Sequence, residues 1–246
     1  MRRPYVSLAI AFAAALALPA VRARAQGPSG PVLPVALDLK TVAIGSWSEY
    51  TVKIANLPPF KQRFALVGRD ATTNALEMTA EGGMMAAGGK VTVKVVLGHD
   101  LSRSDRVKKV VMQLSNNTPM EMQAGAVVPK DQFTKLDPKK LVGKQDVLVP
   151  AGTFKAKHYR DKGVDGGTLE LWVSEAAPPF GIVKMQGQVA QGPGTPSMPL
   201  VIELESTGRD ARPQITRTAE PFDPAKLQAQ VQRQMGGGGS GTSKAK

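Results

Sequence analysis

The chain has 246 residues, with 32 Lys+Arg against 20 Asp+Glu, two His and no Cys, for a formal net charge of +12. That length suits one large domain or two small ones, and a 42% hydrophobic content is enough to bury a core. The lack of Cys excludes a disulfide scaffold, a thiolate metal site, a Cys nucleophile and a lipidated N-terminal Cys, and His99 and His158 alone are too few for a multi-His metal centre.

The N-terminus reads as a secretory leader. Arg2 and Arg3 form the positive region, Val6 to Leu18 is an apolar run interrupted only by Ser7, and Ala23-Arg24-Ala25 supplies the small–x–small cleavage pattern. The run is shorter than the ~20 residues a membrane-spanning helix needs. The expectation is therefore export, cleavage after Ala25, and a periplasmic protein with no transmembrane segment left. The general secretory route is preferred to the twin-arginine route, because the polar residue expected before the Arg pair is missing. Removing the leader takes away four Arg and no acid, which lowers the net charge from +12 to +8. An exported protein of that charge meets lipid phosphates and acidic polymers rather than nucleic acid, although a basic surface also simply favours solubility.

After a loose Pro/Gly lead-in over 26–36, the body from 37 to 222 reads as antiparallel β. Tyr50, Val52 and Ile54 share one face of a strand. Lys90 to Leu97 places Val91, Val93, Val95 and Leu97 opposite Lys90, Thr92 and Lys94. Val110, Met112 and Leu114 repeat the pattern, as do Leu169, Leu171 and Val173, and Leu200, Ile202 and Leu204. Pro150 and Gly152 mark a tight turn between strands over 147–149 and 154–160, and Asp161 to Gly167 forms a hairpin loop. About ten strands spaced in this way predict a mainly β fold, a curved antiparallel sheet or half-open barrel. The body forms one domain or two halves, 37–127 and 144–218, joined by a polar, basic stretch over 128–144. A single helical turn is expected at Asp137 to Leu141. Asp223-Pro224 begins the one convincing helix, over 223–235, with Leu227, Val231 and Met235 on its apolar stripe. A Gly-rich tail over 236–246 is expected to be disordered.

Catalytic signatures are missing. There is no G-x-S-x-G elbow, neither His lies in H-E-x-x-H, and the Gly-rich stretch 83–90 continues with Val91 where a phosphate loop needs Ser or Thr. Acidic residues are scattered, so no carboxylate pair stands out. The expectation is a non-enzymatic protein without cofactor or metal. His158, on the strand face of Phe154 and Ala156, is a core histidine, and His99 serves a turn. Trp172 lies on an outer face or in a second apolar layer. Met120, Met122, Met84 and Met85 suit core filling, an adaptable apolar groove or, less simply, a thioether copper site.

Lys144-Gln-Asp-Val-Leu-Val-Pro-Ala-Gly-Thr-Phe154, Lys157-His-Tyr159, Leu169-Glu-Leu-Trp-Val-Ser-Glu175 and Pro179-Phe-Gly-Ile-Val-Lys184 carry a resemblance. They are similar to a group of uncharacterised bacterial envelope proteins with a V-P-A-G-T-F turn, a group that in turn resembles the periplasmic lipoprotein-carrier (Lol-type) half-barrel. The resemblance covers about residues 140–208 and implies a fold with a lipid-binding cavity under a helical lid; this chain offers only one helix for such a lid. On that reading Phe154, Leu169, Leu171, Val183, Met185, Ile202 and Leu204, with Val147, Val149 and Leu200, line either a cavity or a filled core. Lys155, Lys157, Arg160 and Lys184 would hold an anionic head group at the rim. The function expected is a periplasmic binding or carrier protein for lipid or acyl-chain ligands. The alternative is a structural or accessory envelope protein that works through protein contacts.

Overall fold

The structure, a computed structural model, describes residues 33–82, 89–101, 105–123, 133–162, 167–189 and 197–236. The expected leader with its expected cleavage after Ala25, Met84 and Met85, the middle of the Asp161–Gly167 loop, the part of the 128–144 stretch before Phe133 and the tail beyond Gly236 lie outside the described residues. So do the side chains of Val231 and Met235.

Fourteen strands follow one another among the described residues: β1 (Leu33–Val35), β2 (Trp47–Ile54), β3 (Phe60–Arg69), β4 (Thr73–Gly82), β5 (Val91–Gly98), β6 (Val107–Leu114), β7 (Met120–Met122), β8 (Phe133–Lys135), β9 (Leu141–Val149), β10 (Gly152–Lys162), β11 (Thr168–Val173), β12 (Ile182–Val189), β13 (Met198–Gly208) and β14 (Glu220–Pro221). A single α-helix, α1 (Pro224–Gly236), ends the described chain. Strands β1 and β8 form a small parallel pair, and the other twelve make one sheet in the order β14-β7-β6-β5-β4-β3-β2-β13-β12-β11-β10-β9. The fold is thus mainly β, a single curled sheet that does not close into a barrel.

The order explains how the halves join. Hairpins carry the chain from β2 outward to β7, it then passes to the opposite edge at β9, and hairpins bring it back to β13. Strand β13 pairs with β2, setting Leu200 beside Ile54, Ile202 beside Val52 and Leu204 beside Tyr50. Register and period-2 patterning together make one apolar face. Leu171, Met185, Ile202 and Val52 are successive cross-strand neighbours in one row, and Phe64, Met78, Val93, Met112 and Met120 in another. All nine are buried. Tyr50 donates its hydroxyl to the Ile182 carbonyl at 3.0 Å, and burial pushes the phenol well above its usual range.

The remaining elements brace this sheet. Beyond β13 the chain crosses the face of β4 opposite Leu76 and Met78, where buried Glu77 accepts the backbone N–H groups of Gln214 and Ile215 at 2.7 and 3.1 Å. It ends as β14 against β7, so this edge of the sheet is capped by the chain itself. The turn expected at Asp137 is a 3-10 helix over Pro138–Lys140, capped by the Asp137 carboxylate on the Lys139 N–H at 2.9 Å. The Asp223 carboxylate accepts from Ala225 N–H and Lys226 N–H at the start of α1, and Leu227 packs on the core. Strands β9 and β10 are longer than the patterning suggests. Residues 141–146 are polar or exposed because β9 is the outermost strand, and an edge strand needs no apolar alternation.

Candidate functional site

A cleft of about 950 Å³ opens between the β9–β10 hairpin and the segment that follows β1. Two tethers fix that segment. The Ala36 N–H donates to the Phe180 carbonyl at 3.1 Å, and the Arg69 guanidinium donates to the carbonyls of Leu39 and Val42. The anchoring carries Leu37 and Leu39 onto one wall, where Leu101 and Leu136 extend the apolar surface. Buried Asn74 and partly buried His99 supply polar groups, and the His99 Nε2 has no hydrogen-bond partner.

The opposite wall is cationic. Lys144 and Lys157 are direct cross-strand neighbours, as are Asp146 and Lys155, and all four line the cleft with Tyr159. Like charges directly opposite each other on a sheet repel. With Lys40, the cleft is lined by four lysines against Asp38, Asp146 and Glu175. Asp38 is already engaged in a turn, accepting the Lys40 backbone N–H at 3.0 Å. An excess of ammonium groups above an apolar wall is chemically suited to an anion carrying a hydrocarbon part.

The structure separates the residues singled out from the sequence. Lys155 and Lys157 line the cleft. Arg160 instead donates Nε and Nη2 to Glu170 Oε1 at 2.9 and 2.7 Å, beside a smaller hollow of about 360 Å³ formed with Thr168, Gln186 and Gly187. Lys184 lies 3.0 Å from Glu203. Burial alone would raise the Glu203 carboxyl, but hydrogen bonds and charge from Lys184 and Lys53 outweigh it and hold it below the usual carboxylate range.

Leu171, Val183, Met185, Leu200, Ile202 and Leu204 are buried in the packed core, as are Val147 and Val149, while Phe154 and Leu169 pack against it partly buried. None of these ten lines the cleft. Met120 is buried and Met122 packs on the core. Among the described residues no group of three or more His, Cys, Asp or Glu could hold a metal ion. No helix among them is long and apolar enough to cross a membrane.

Sequence patterning did not single out Leu37, Leu39, Leu101, Leu136, Asn74 or the ring of His99 as site residues. The alternation Leu37-Asp38-Leu39-Lys40 was the available signal for the first two, but it sits beside a Pro-rich lead-in and is too short to stand out.

No family model matches the chain, and no curated protein matches it. Among solved structures it is similar to an exported protein with YmcC-like fold from Bacteroides fragilis, at 10% identity and a TM-score of 0.32, over 67% of this chain and 96% of that one. A hypothetical protein from Chlamydia trachomatis aligns at 10% identity and a TM-score of 0.41, over 76% of this chain and 95% of its own. A DUF1329 family protein from Desulfovibrio piger aligns at 13% identity and a TM-score of 0.34, over 72% of this chain and 89% of its own.

Proposed function

We propose that this is an exported, non-enzymatic binding or carrier protein of the periplasm whose cleft takes an anionic amphiphile such as a phospholipid or acyl chain. The observation that carries the reading is the pairing of a leucine wall, Leu37, Leu39, Leu101 and Leu136, with Lys144, Lys155 and Lys157 opposite. A hydrocarbon chain on the first surface loses contact with water, and a phosphate or carboxylate on the second relieves the repulsion between Lys144 and Lys157. Ligand sites of this general kind span roughly 300–1,000 Å³, so the cleft is at the large end. The leader pattern before Ala25 supports export, and the resemblance of residues 140–208 to the lipoprotein-carrier pattern agrees with a lipid ligand.

Lipid extraction and mass spectrometry of protein purified from the periplasm without detergent tests this reading. Near-stoichiometric anionic lipid is the expected result, and a stable protein free of lipid speaks against a resident ligand. A second reading, an accessory envelope protein acting through protein contacts, is favoured by apolar side chains exposed on the outermost strand, Leu148 and Val142 above all.

A further inference from the structure

The two edges of the large sheet are treated differently. At one edge β14 covers β7 and presents Pro221, which has no N–H to offer. At the other, no described strand pairs with the outer side of β9. This bare strand carries Leu148 at 76% exposure, Val142 at 54% and Leu141 at 43%. Exposed edges of this length and composition are what folded proteins ordinarily shield.

The geometry of β9 makes its free groups explicit. Val149 and Gly152 close the two-residue turn as a paired set, so the antiparallel alternation turns the N–H and C=O of Leu148, Asp146 and Lys144 away from β10. Their side chains share the face of Thr153, Lys155 and Lys157, and Lys144 and Asp146 stand at the cleft. Neither forms an ion pair among the described residues, and Lys144 has only Lys157 opposite it.

We propose that β9 is a homodimer interface, on which a second copy of the chain pairs its own β9 antiparallel about a two-fold axis at Gln145. The sequence of the strand is self-complementary in that register. Lys144 meets the partner's Asp146 and Asp146 meets the partner's Lys144, which is the match required of an isologous interface, and both lie in the regular part of β9 beyond the bulge at Val142. The backbone parity agrees, because Lys144 and Asp146 both present outward N–H and C=O groups and become hydrogen-bonded pairs across the axis. The partner's Asp146 then sits between Lys144 and the partner's Lys155, so Lys144 gains an opposite charge on its open side while Lys157 stays on the other. The two sheets become continuous, and each cleft gains the other copy's charged edge at its rim. The inference is independent of what the cleft holds, since its test reads mass alone.

Sedimentation or light scattering of protein purified from the periplasm, over a concentration series, is expected to show a monomer–dimer equilibrium. Lys144→Asp places two acids across the axis and Asp146→Lys places two lysines, so each variant is expected to dimerise at least about tenfold more weakly. An equimolar mixture of the two variants restores complementarity and is expected to recover the dimer mass, an outcome that misfolded variants could not give. The double variant Lys144→Asp/Asp146→Lys is expected to dimerise by itself. Wild-type protein that stays monomeric across the series, a dimer indifferent to both charge reversals, or a monomer that retains an extended foreign peptide would overturn the assignment.

Discussion

The His158 imidazole lies flat against the Trp172 indole, with ring centroids 4.6 Å apart and planes 5° from parallel. The two residues are direct cross-strand partners on β10 and β11, and both are buried. His158 Nε2 makes no hydrogen bond, its nearest acid being Glu170 Oε1 at 3.6 Å, and Trp172 Nε1 is also unpartnered. Packing therefore sets the worth of the pair. Trp172→Ala is expected to cost about 3–5 kcal/mol, whereas His158→Phe keeps a ring in the stack and is expected to stay within about 1.5 kcal/mol of wild type. Urea denaturation of both variants checks this, and a large loss in His158→Phe would show that the imidazole acts through its nitrogen.

Asp70 closes the β3–β4 hairpin. It accepts the Thr73 hydroxyl at 2.6 Å and the backbone N–H groups of Thr72 and Thr73, both at 2.7 Å. These bonds, the Thr73 hydroxyl foremost, lower its carboxyl from the ordinary 3.8 to about 2. A depressed folded-state value means that the carboxylate stabilises the fold above about 3.8 and that this contribution is lost as pH falls toward about 2. Asp70→Ala is expected to be less stable than wild type at neutral pH and to close that gap through this window, as read from denaturation midpoints across the acid range.

Glu77 fastens the crossing segment to the back of β4 through Gln214 and Ile215. Glu77→Ala leaves both N–H groups without their acceptor, at about 1–3 kcal/mol. Hydrogen exchange should rise first at 209–220 and at β14, and an unchanged exchange pattern there would deny the carboxylate this role.

Gly208 lies under the Trp47 indole, and a Cβ at that position would fall 2.6 Å from the Trp47 Nε1. The ring is held from elsewhere too, with Arg63 4.0 Å above it and Asp210 accepting its N–H at 2.7 Å. Gly208→Ala is expected to cost about 1–3 kcal/mol through overpacking. A shift in Trp fluorescence that accompanies the loss would locate the strain at this ring.

The strand alternation at Val91 to Leu97, the Pro150–Ala151 turn, the Asp137 turn and the Asp223 cap were legible in the sequence because each is a local device whose residues are contiguous. The leading strand β1, the extension of β9 through Gly143 to Asp146 and the brief β14 were not, since short or edge strands need no alternating signal and form only where the rest of the sheet offers a partner. Lys155 and Lys157 could be placed together from their spacing on one strand. Their assembly with Leu37, Leu101 and Leu136 depends on contacts between separate segments of the chain, which periodicity does not report.

The central claim is that the cleft binds an anionic amphiphile through its leucine wall and lysine rim. Equilibrium titration with a fluorescent anionic fatty acid, comparing wild type with Lys155→Glu/Lys157→Glu and with Arg160→Glu, tests it most directly. The account predicts saturable binding that the double variant weakens at least about tenfold and that Arg160→Glu, outside the cleft, leaves unchanged. No saturable binding by wild type, or equal binding by the double variant, would contradict it.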